Sequence, residues 1–257
     1  MNLLRTIGAR GVATAKGQVT AWRANGPVDY IRTRPYAALR ALGYVLLTMD
    51  SMRMDPAEVQ RRWADRSGSY SPKFYAEYGP DSGSEEICAV LDEHVESDAA
   101  ILELGCGGGR HLAYLHDHGY DDLYGIDIND DAAAVMEDSY PQLAEAGTFY
   151  FDPIEEIVPT FDDGRFDVVF SVETLQHIHP DNEWVFDDVA RITDDLLITN
   201  ENEPEDDRLV SVVPVDDFPL YYRQWGRVFT DLGLTQVTAS QGSIDTFRVF
   251  RQPGFEG

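Results

Sequence analysis

Lysine is nearly missing from this chain. Of its 257 residues 20 are basic, and only Lys16 and Lys73 are lysines, the other 18 being arginines; against them stand 46 Asp and Glu, for a formal net charge of −26. Cysteine is as scarce, with Cys88 and Cys106 isolated and no CxxC pair, which excludes a disulfide scaffold and leaves two reduced thiols as the expectation. Six histidines include two HxH pairs, His116/His118 and His177/His179, but no Cys or carboxylate stands at zinc-site spacing around either, so no metal site is expected. Long apolar runs are missing too. The best, Ala41 to Met49, is cut off by Arg40 and Asp50, short of the roughly 18 residues of a membrane span. The opening residues hold no continuous apolar h-region and no twin arginine, so an untargeted, cytoplasmic protein is expected. What is present, 43% hydrophobic and 26% charged residues, is enough apolar material for a folded core and excludes wholesale disorder.

Charge is unevenly spread. Residues 1–50 carry seven basic and two acidic side chains, net +5, whereas residues 51–257 carry 13 basic and 44 acidic ones, net −31. Two physically different segments therefore share the chain, and we divide it into an extension, 1–54, and a domain, 55–257. In the extension Tyr36, Leu39, Leu42, Leu46 and Met49 recur at helical spacing, while Ala38, Ala41 and Val45 leave no solvated face. A basic, apolar helix of this kind either packs on the domain with its arginines paired to carboxylates, or lies on a partner or, in peripheral contact, on an anionic membrane at the inner face of the cell.

From Asp55 onward helix and strand alternate. Asp55-Pro56-Ala57-Glu58 combines an acidic N-cap, Pro at N1 and Glu at N3, predicting a helix to about Arg66; a second covers roughly Glu85 to Val95. Short apolar runs at Ala100–Leu104, Leu123–Ile128, Thr148–Phe151, Phe166–Ser171 and Leu196–Thr199 are predicted buried strands, with crossover helices at Arg110–His118, Asp130–Tyr140 and Asn182–Ile192. After a helix expected around Leu220–Leu232, strands at Leu234–Ala239 and Ile244–Arg251 are only four residues apart. A parallel crossover needs a dozen or more, so this pair must be an antiparallel hairpin. The expected fold is α/β and doubly wound: a mostly parallel seven-stranded sheet with an antiparallel last strand, preceded by a helical N-terminal extension.

Chemistry gathers where the first strand ends. Glu103-Leu104-Gly105-Cys106-Gly107-Gly108-Gly109-Arg110 places an acid in the strand and ExGxGxG in the turn to a helix, where glycine admits positive φ and lets a ligand approach the backbone. Asp127 ends the second strand 22 residues after Gly105, at the distance where a ribose diol is reached. Here the sequence resembles the class I S-adenosylmethionine-dependent methyltransferases, over roughly residues 56–251. The resemblance implies S-adenosylmethionine as cofactor, the loop with Glu103, Gly105, Gly107 and Gly109 under its methionine part, Asp127 on the ribose hydroxyls and Asp152, ending the third strand, beside the adenine amino group. The stretch Phe166 to Ile178 looks like that family's fourth strand and the loop facing the methyl group, and the reversed final strand is a hallmark of the family.

In-line methyl transfer asks the enzyme mainly to align two reactants. A hydroxyl acceptor also benefits from a general base, and His177 is the leading residue for it; a carboxylate acceptor needs none. His179, before Pro180, is expected only to open a helix. The (N/D/S)PP(Y/F) signature of exocyclic-amine methyltransferases is absent, since Val172-Glu173 follow Ser171, which argues for O-methyl over N-methyl transfer and against nucleic acid. The composition looks like that of a salt-in haloarchaeon, whose brine screens surface carboxylates. With the basic extension it is similar to methyltransferases of haloarchaeal surface-glycan assembly, and the expected acceptor is an acidic sugar, a hexuronic acid, on a lipid-linked or cell-surface glycan such as that of archaeal protein N-glycosylation. Arg208, after the fifth strand, is then placed to hold the sugar carboxylate. An isoprenoid quinone or other small metabolite, RNA, and cofactor binding without catalysis are the alternatives.

Overall fold

The computed structural model describes residues 54–204, 210–215, 218–242 and 245–254. The expected N-terminal extension and Arg208 lie outside the described residues. Nine strands are described: β1 (Ile101–Leu104), β2 (Leu123–Ile126), β3 (Thr148–Tyr150), β4 (Phe166–Val172), β5 (Thr193–Glu201), β6 (Val210–Val215), β7 (Phe218–Arg223), β8 (Thr235–Gln241) and β9 (Thr246–Arg251). The described helices are α1 (Pro56–Ala64), α2 (Pro72–Tyr78), α3 (Ser82–His94), α4 (Arg110–Asp117), α5 (Asp131–Ser139), α6 (Pro141–Ala146), α7 (Ile154–Ile157), α8 (Val185–Ile192) and α9 (Trp225–Asp231).

Seven strands form one sheet in the order β3-β2-β1-β4-β5-β9-β8. β1 pairs in parallel with β2 and β4, β2 with β3 and β4 with β5, while β9 runs antiparallel to both β5 and β8. The doubly wound sheet with its reversed last strand is therefore present. Its central strands are apolar throughout because both faces are covered. Leu102, Leu104, Val169 and Leu197 face one core with Phe186, Trp225 and Phe229, and Ile101, Val168, Phe170 and Ile198 face the other with Ile87, Leu91, Leu112 and Leu115. The edge strand β8 is exposed at every position, as its Thr, Gln and Ser content allows.

Helix starts follow their local chemistry. Asp55 caps α1 by accepting from the Glu58 amide (2.9 Å), Ser71 caps α2 ahead of Pro72, and Asp81 and Ser84 form a reciprocal capping box on α3. Three local expectations fail. α2 and α6 were not anticipated; they are seven and six residues long, too short for a clear period. The helix expected from Leu220 begins at Trp225, because Leu220–Arg223 belongs to β7, paired with β6 in a separate two-stranded sheet. Pro214 and the Asp216-Asp217 pair hide that hairpin in the sequence.

Candidate active site

The carboxyl ends of β1, β2 and β4 form the crevice where open α/β sheets bind ligands. The loop leaving β1 alternates left-handed glycines, with φ of +76° at Gly105, +53° at Gly107 and +86° at Gly109. A Cβ on Gly105 would lie 2.1 Å from Thr174 Oγ1, so only glycine lets the loop after β4 close against this turn. Gly107 differs, since the nearest neighbour to a Cβ there is the Pro72 Cα at 4.0 Å. Its face is open to a ligand.

Two acids flank the loop. Asp127, just past β2, accepts the Gly107 amide on Oδ2 (2.7 Å) and the Asn129 amide on Oδ1 (2.9 Å). Burial raises its pKa and the two amides oppose that rise. Glu103 is 1% exposed on β1, and its Oε2 has no hydrogen-bond partner among the described residues. Burial pushes it well above the usual carboxylate range, with Arg110 opposing and Asp127 adding to the rise. A buried oxygen without a donor is rare enough to mark a place where a ligand donor fits.

The segment ahead of α3 roofs this crevice. Pro72 and Ala76 of α2 lie against Gly108, and Tyr140 donates to the Ala76 carbonyl (3.3 Å). Asn129 Nδ2 donates to the carbonyls of Trp63 (3.1 Å) and Arg66 (2.9 Å), fastening the end of α1 to the loop after β2. The Trp63 ring packs on His177, with centroids 4.0 Å apart.

The loop after β4 is held from below by a residue that sequence reasoning missed. Glu201, fully buried at the end of β5, accepts from Ser171 Oγ (2.6 Å) and the Thr174 amide (2.9 Å), and from the Leu175 (2.9 Å) and Gln176 (3.3 Å) amides. Burial pushes its carboxyl up to about 7 against those four donors. The available signal was the one used for Asp127 and Asp152, an acid ending an apolar strand. Glu173, also missed, sits in this loop at φ +50°. Its carboxylate accepts from Asn202 Nδ2 (3.2 Å) and is raised by burial. Tyr75 is pushed up to about 12 by burial and then by Glu173, and Tyr222 is raised by the same two causes. Arg110 crosses the Tyr75 ring at 5.1 Å while donating to Asp81 Oδ2 (2.6 Å).

Glu103, Gly105, Gly107, Gly109 and Asp127 are thus brought together at one loop. His177 lies on a short 3-10 turn (Leu175–His177) further along the loop after β4, its Nδ1 without a hydrogen-bond partner among the described residues. Burial pulls its imidazole down to about 3, a backbone carbonyl at Glu173 opposing. His179 receives the Asp181 amide on Nδ1 (3.0 Å) and opens the next 3-10 turn. Asp152 is exposed just past β3, on the strand beside β2. Both cysteines are buried and unpaired, and no group of three His, Cys, Asp or Glu among the described residues could hold a metal. No helix among them is long and apolar enough to cross a membrane.

Residues 102–195, from β1 into β5, match a family model described as a methyltransferase domain. Over this stretch the chain is similar to methyltransferase domains. Magnesium protoporphyrin IX methyltransferase from Synechocystis PCC 6803, which shares the fold, is solved with bound S-adenosylmethionine. The open face of Gly107 and the unused Glu103 oxygen fit that molecule, offering a backbone surface to lie on and a buried acceptor for one of its donors. Among curated proteins, the mouse (Mus musculus) eEF1A lysine and N-terminal methyltransferase is 25% identical over 140 residues, 54% of this chain and 19% of that protein. The chain spans about a fifth of the length of the curated relatives it matches. The domain also shares its fold with magnesium protoporphyrin IX methyltransferase from Synechocystis PCC 6803 (TM-score 0.54, 15% identity, 81% of this chain and 99% of that one). The PH0226 protein of Pyrococcus horikoshii OT3 is similar too (TM-score 0.53, 18% identity, 79% and 98%).

Proposed function

We propose that this methyltransferase binds S-adenosylmethionine over the glycine loop and transfers its methyl group to an acceptor that enters beside the loop after β4. The observation that carries this reading is the Asp127 carboxylate fastened to the Gly107 amide, which sets an acid and an open backbone face side by side. When bound, the cofactor supplies an electrophilic sulfonium methyl. The chain's own residues bind and orient. In this assignment Asp127 receives the ribose hydroxyls and Asp152 stands toward the adenine amino group. Glu103 takes a hydrogen bond at the methionine end, and Gly105, Gly107 and Gly109 let the backbone approach. α1 and α2 keep water from the reacting atoms, and Glu201 fixes the loop the acceptor meets. Isothermal titration tests the reading: S-adenosylmethionine and its demethylated product should bind, and binding of NADH with none of S-adenosylmethionine would overturn it.

The identity of the acceptor rests on separate features. The net +5 of residues 1–50 ahead of a net −31 domain supports an acidic sugar on a lipid-linked glycan, with Arg208 on its carboxylate and residues 1–50 near the membrane. Against it, the acceptor side of the described residues carries the Glu173 carboxylate, and its nearby cation Arg110 is engaged by Asp81. That side favours a neutral or cationic acceptor. His177 as a general base would also be a weak one, since a group held near pKa 3 takes a hydroxyl proton poorly. Cells lacking the protein whose surface glycans lose a methyl group would restore the sugar reading.

A further inference from the structure

Glu173, the first residue after β4, is a charged side chain to which the proposed cofactor binding gives no task. Its backbone is left-handed, a conformation side-chain-bearing residues rarely adopt, and is tied on both sides: its amide donates to the Asn200 carbonyl (2.9 Å), and its carbonyl accepts from Gln176 Nε2 (3.3 Å). The next residue, Thr174, lies directly against Gly105, so Glu173 stands at the edge of the cofactor loop. Asn202 donates to Oε1, and the second oxygen has no hydrogen bond among the described residues. Tyr75 and Tyr222 lie within range of its charge. The Tyr75 ring carries the Arg110 guanidinium at 5.1 Å. Arg110 itself is held by Asp81, and Glu173 has no salt bridge among the described residues.

We propose that Glu173, at the edge of the glycine loop, receives the acceptor, and that the acceptor is an amine. The inference rests on the methyltransferase reading and deepens it. A carboxylate with one oxygen free of hydrogen bonds attracts an ammonium by charge, and repels the carboxylate of a sugar acid. The ammonium gives its proton to water at the mouth of the crevice. The neutral nitrogen's lone pair then forms the N–CH₃ bond while the electron pair of the S–CH₃ bond stays on sulfur. The positive charge moves from sulfur to nitrogen, and the methylated amine leaves with S-adenosylhomocysteine as co-product.

The test uses the full chain with glycine, a lysine-containing peptide and glucuronate as acceptor probes. Product mass and S-adenosylhomocysteine release report turnover, and titration calorimetry reports S-adenosylmethionine affinity. At least one amine should gain a methyl group, and Glu173→Gln should raise its KM about tenfold or more while S-adenosylmethionine affinity stays within about threefold. Tyr222→Leu should raise the same KM without touching the loop, which keeps the test decisive if the first variant melts early. Methylation of glucuronate and of neither amine overturns the proposal, as does an absence of any methylated amine. Equal loss of cofactor and acceptor affinity in Glu173→Gln overturns it too, because the carboxylate would then serve the cofactor's own ammonium. Failure of the wild-type chain to bind S-adenosylmethionine would instead sink the function reading beneath it.

Discussion

Glu201 should make the stability of this domain depend on pH in a direction opposite to that of most paired carboxylates. Its side chain is fully buried and takes four hydrogen bonds, two from Ser171 Oγ and the Thr174 amide and two from the Leu175 and Gln176 amides. Even so, burial outweighs them and lifts its pKa from 4.5 to about 7. The folded chain therefore holds this proton more tightly than the unfolded chain does. Stability from this group is full below about pH 4.5, falls as pH rises to about 7 and is level above it, a loss of about 3 kcal/mol across the window. Glu201→Gln keeps the shape and cannot ionise. Other carboxylates titrate in the same range, so the measure is the difference between variant and wild type, followed by denaturant unfolding in molar KCl from pH 4.5 to 8. The variant should gain about 3 kcal/mol on the wild type as pH rises, whatever its offset at pH 4.5. A difference that stays flat within about 0.5 kcal/mol would show that burial does not dominate this carboxyl and would refute the reasoning.

Four further outcomes follow from the same structure. Asp127→Ala should weaken S-adenosylmethionine by about one hundred- to ten-thousandfold, the worth of two charge-assisted hydrogen bonds, and titration showing less than about threefold would remove Asp127 from the ribose. Gly105→Ala should lower Tm well beyond Gly119→Ala: both sites have positive φ, but only at Gly105 does a Cβ strike a neighbour, Thr174, and equal Tm losses would mean that the contact yields freely. His177 is neutral above about pH 3, so the kcat/KM profile from pH 5 to 8 should carry no inflection from it; a break near 6.5 that His177→Ala abolishes would count against this. With a net charge of −26, the chain should melt higher at about 3 M than at about 0.1 M KCl, and an unchanged Tm would contradict self-repulsion as the dominant salt effect.

The sheet was legible because its strands are buried on both faces. A strand covered on both sides must be apolar at nearly every position, so β1, β2, β4 and β5 stand out as short Ile, Leu, Val and Phe runs between helical stretches. The reversed last strand followed from chain length alone, since four residues cannot carry a parallel crossover. The glycine loop and Asp127 were legible because positive φ and an acid at a strand end leave fixed residue types at fixed spacing. The same logic failed for α2, α6 and the β6–β7 hairpin, whose segments are too short, or too interrupted by proline and aspartate, to establish a period.

Residue type, order and spacing alone thus determined the sheet, its one reversal, the position of the glycine loop and the charge of the surface. Tertiary structure decided which side chains meet. Glu201 is 26 residues from Leu175 and 30 from Ser171, and only the pairing of β4 with β5 brings its carboxyl under the loop. His177 has the residue type of a base, but burial against Trp63, 114 positions earlier, takes its proton affinity away. Burial and then the Glu173 charge raise the pKa of Tyr75 on α2 and of Tyr222 on β7, segments that no local pattern connects. Burial and long-range neighbours set the free energy of a charge, and neither is encoded in the few residues on either side of it.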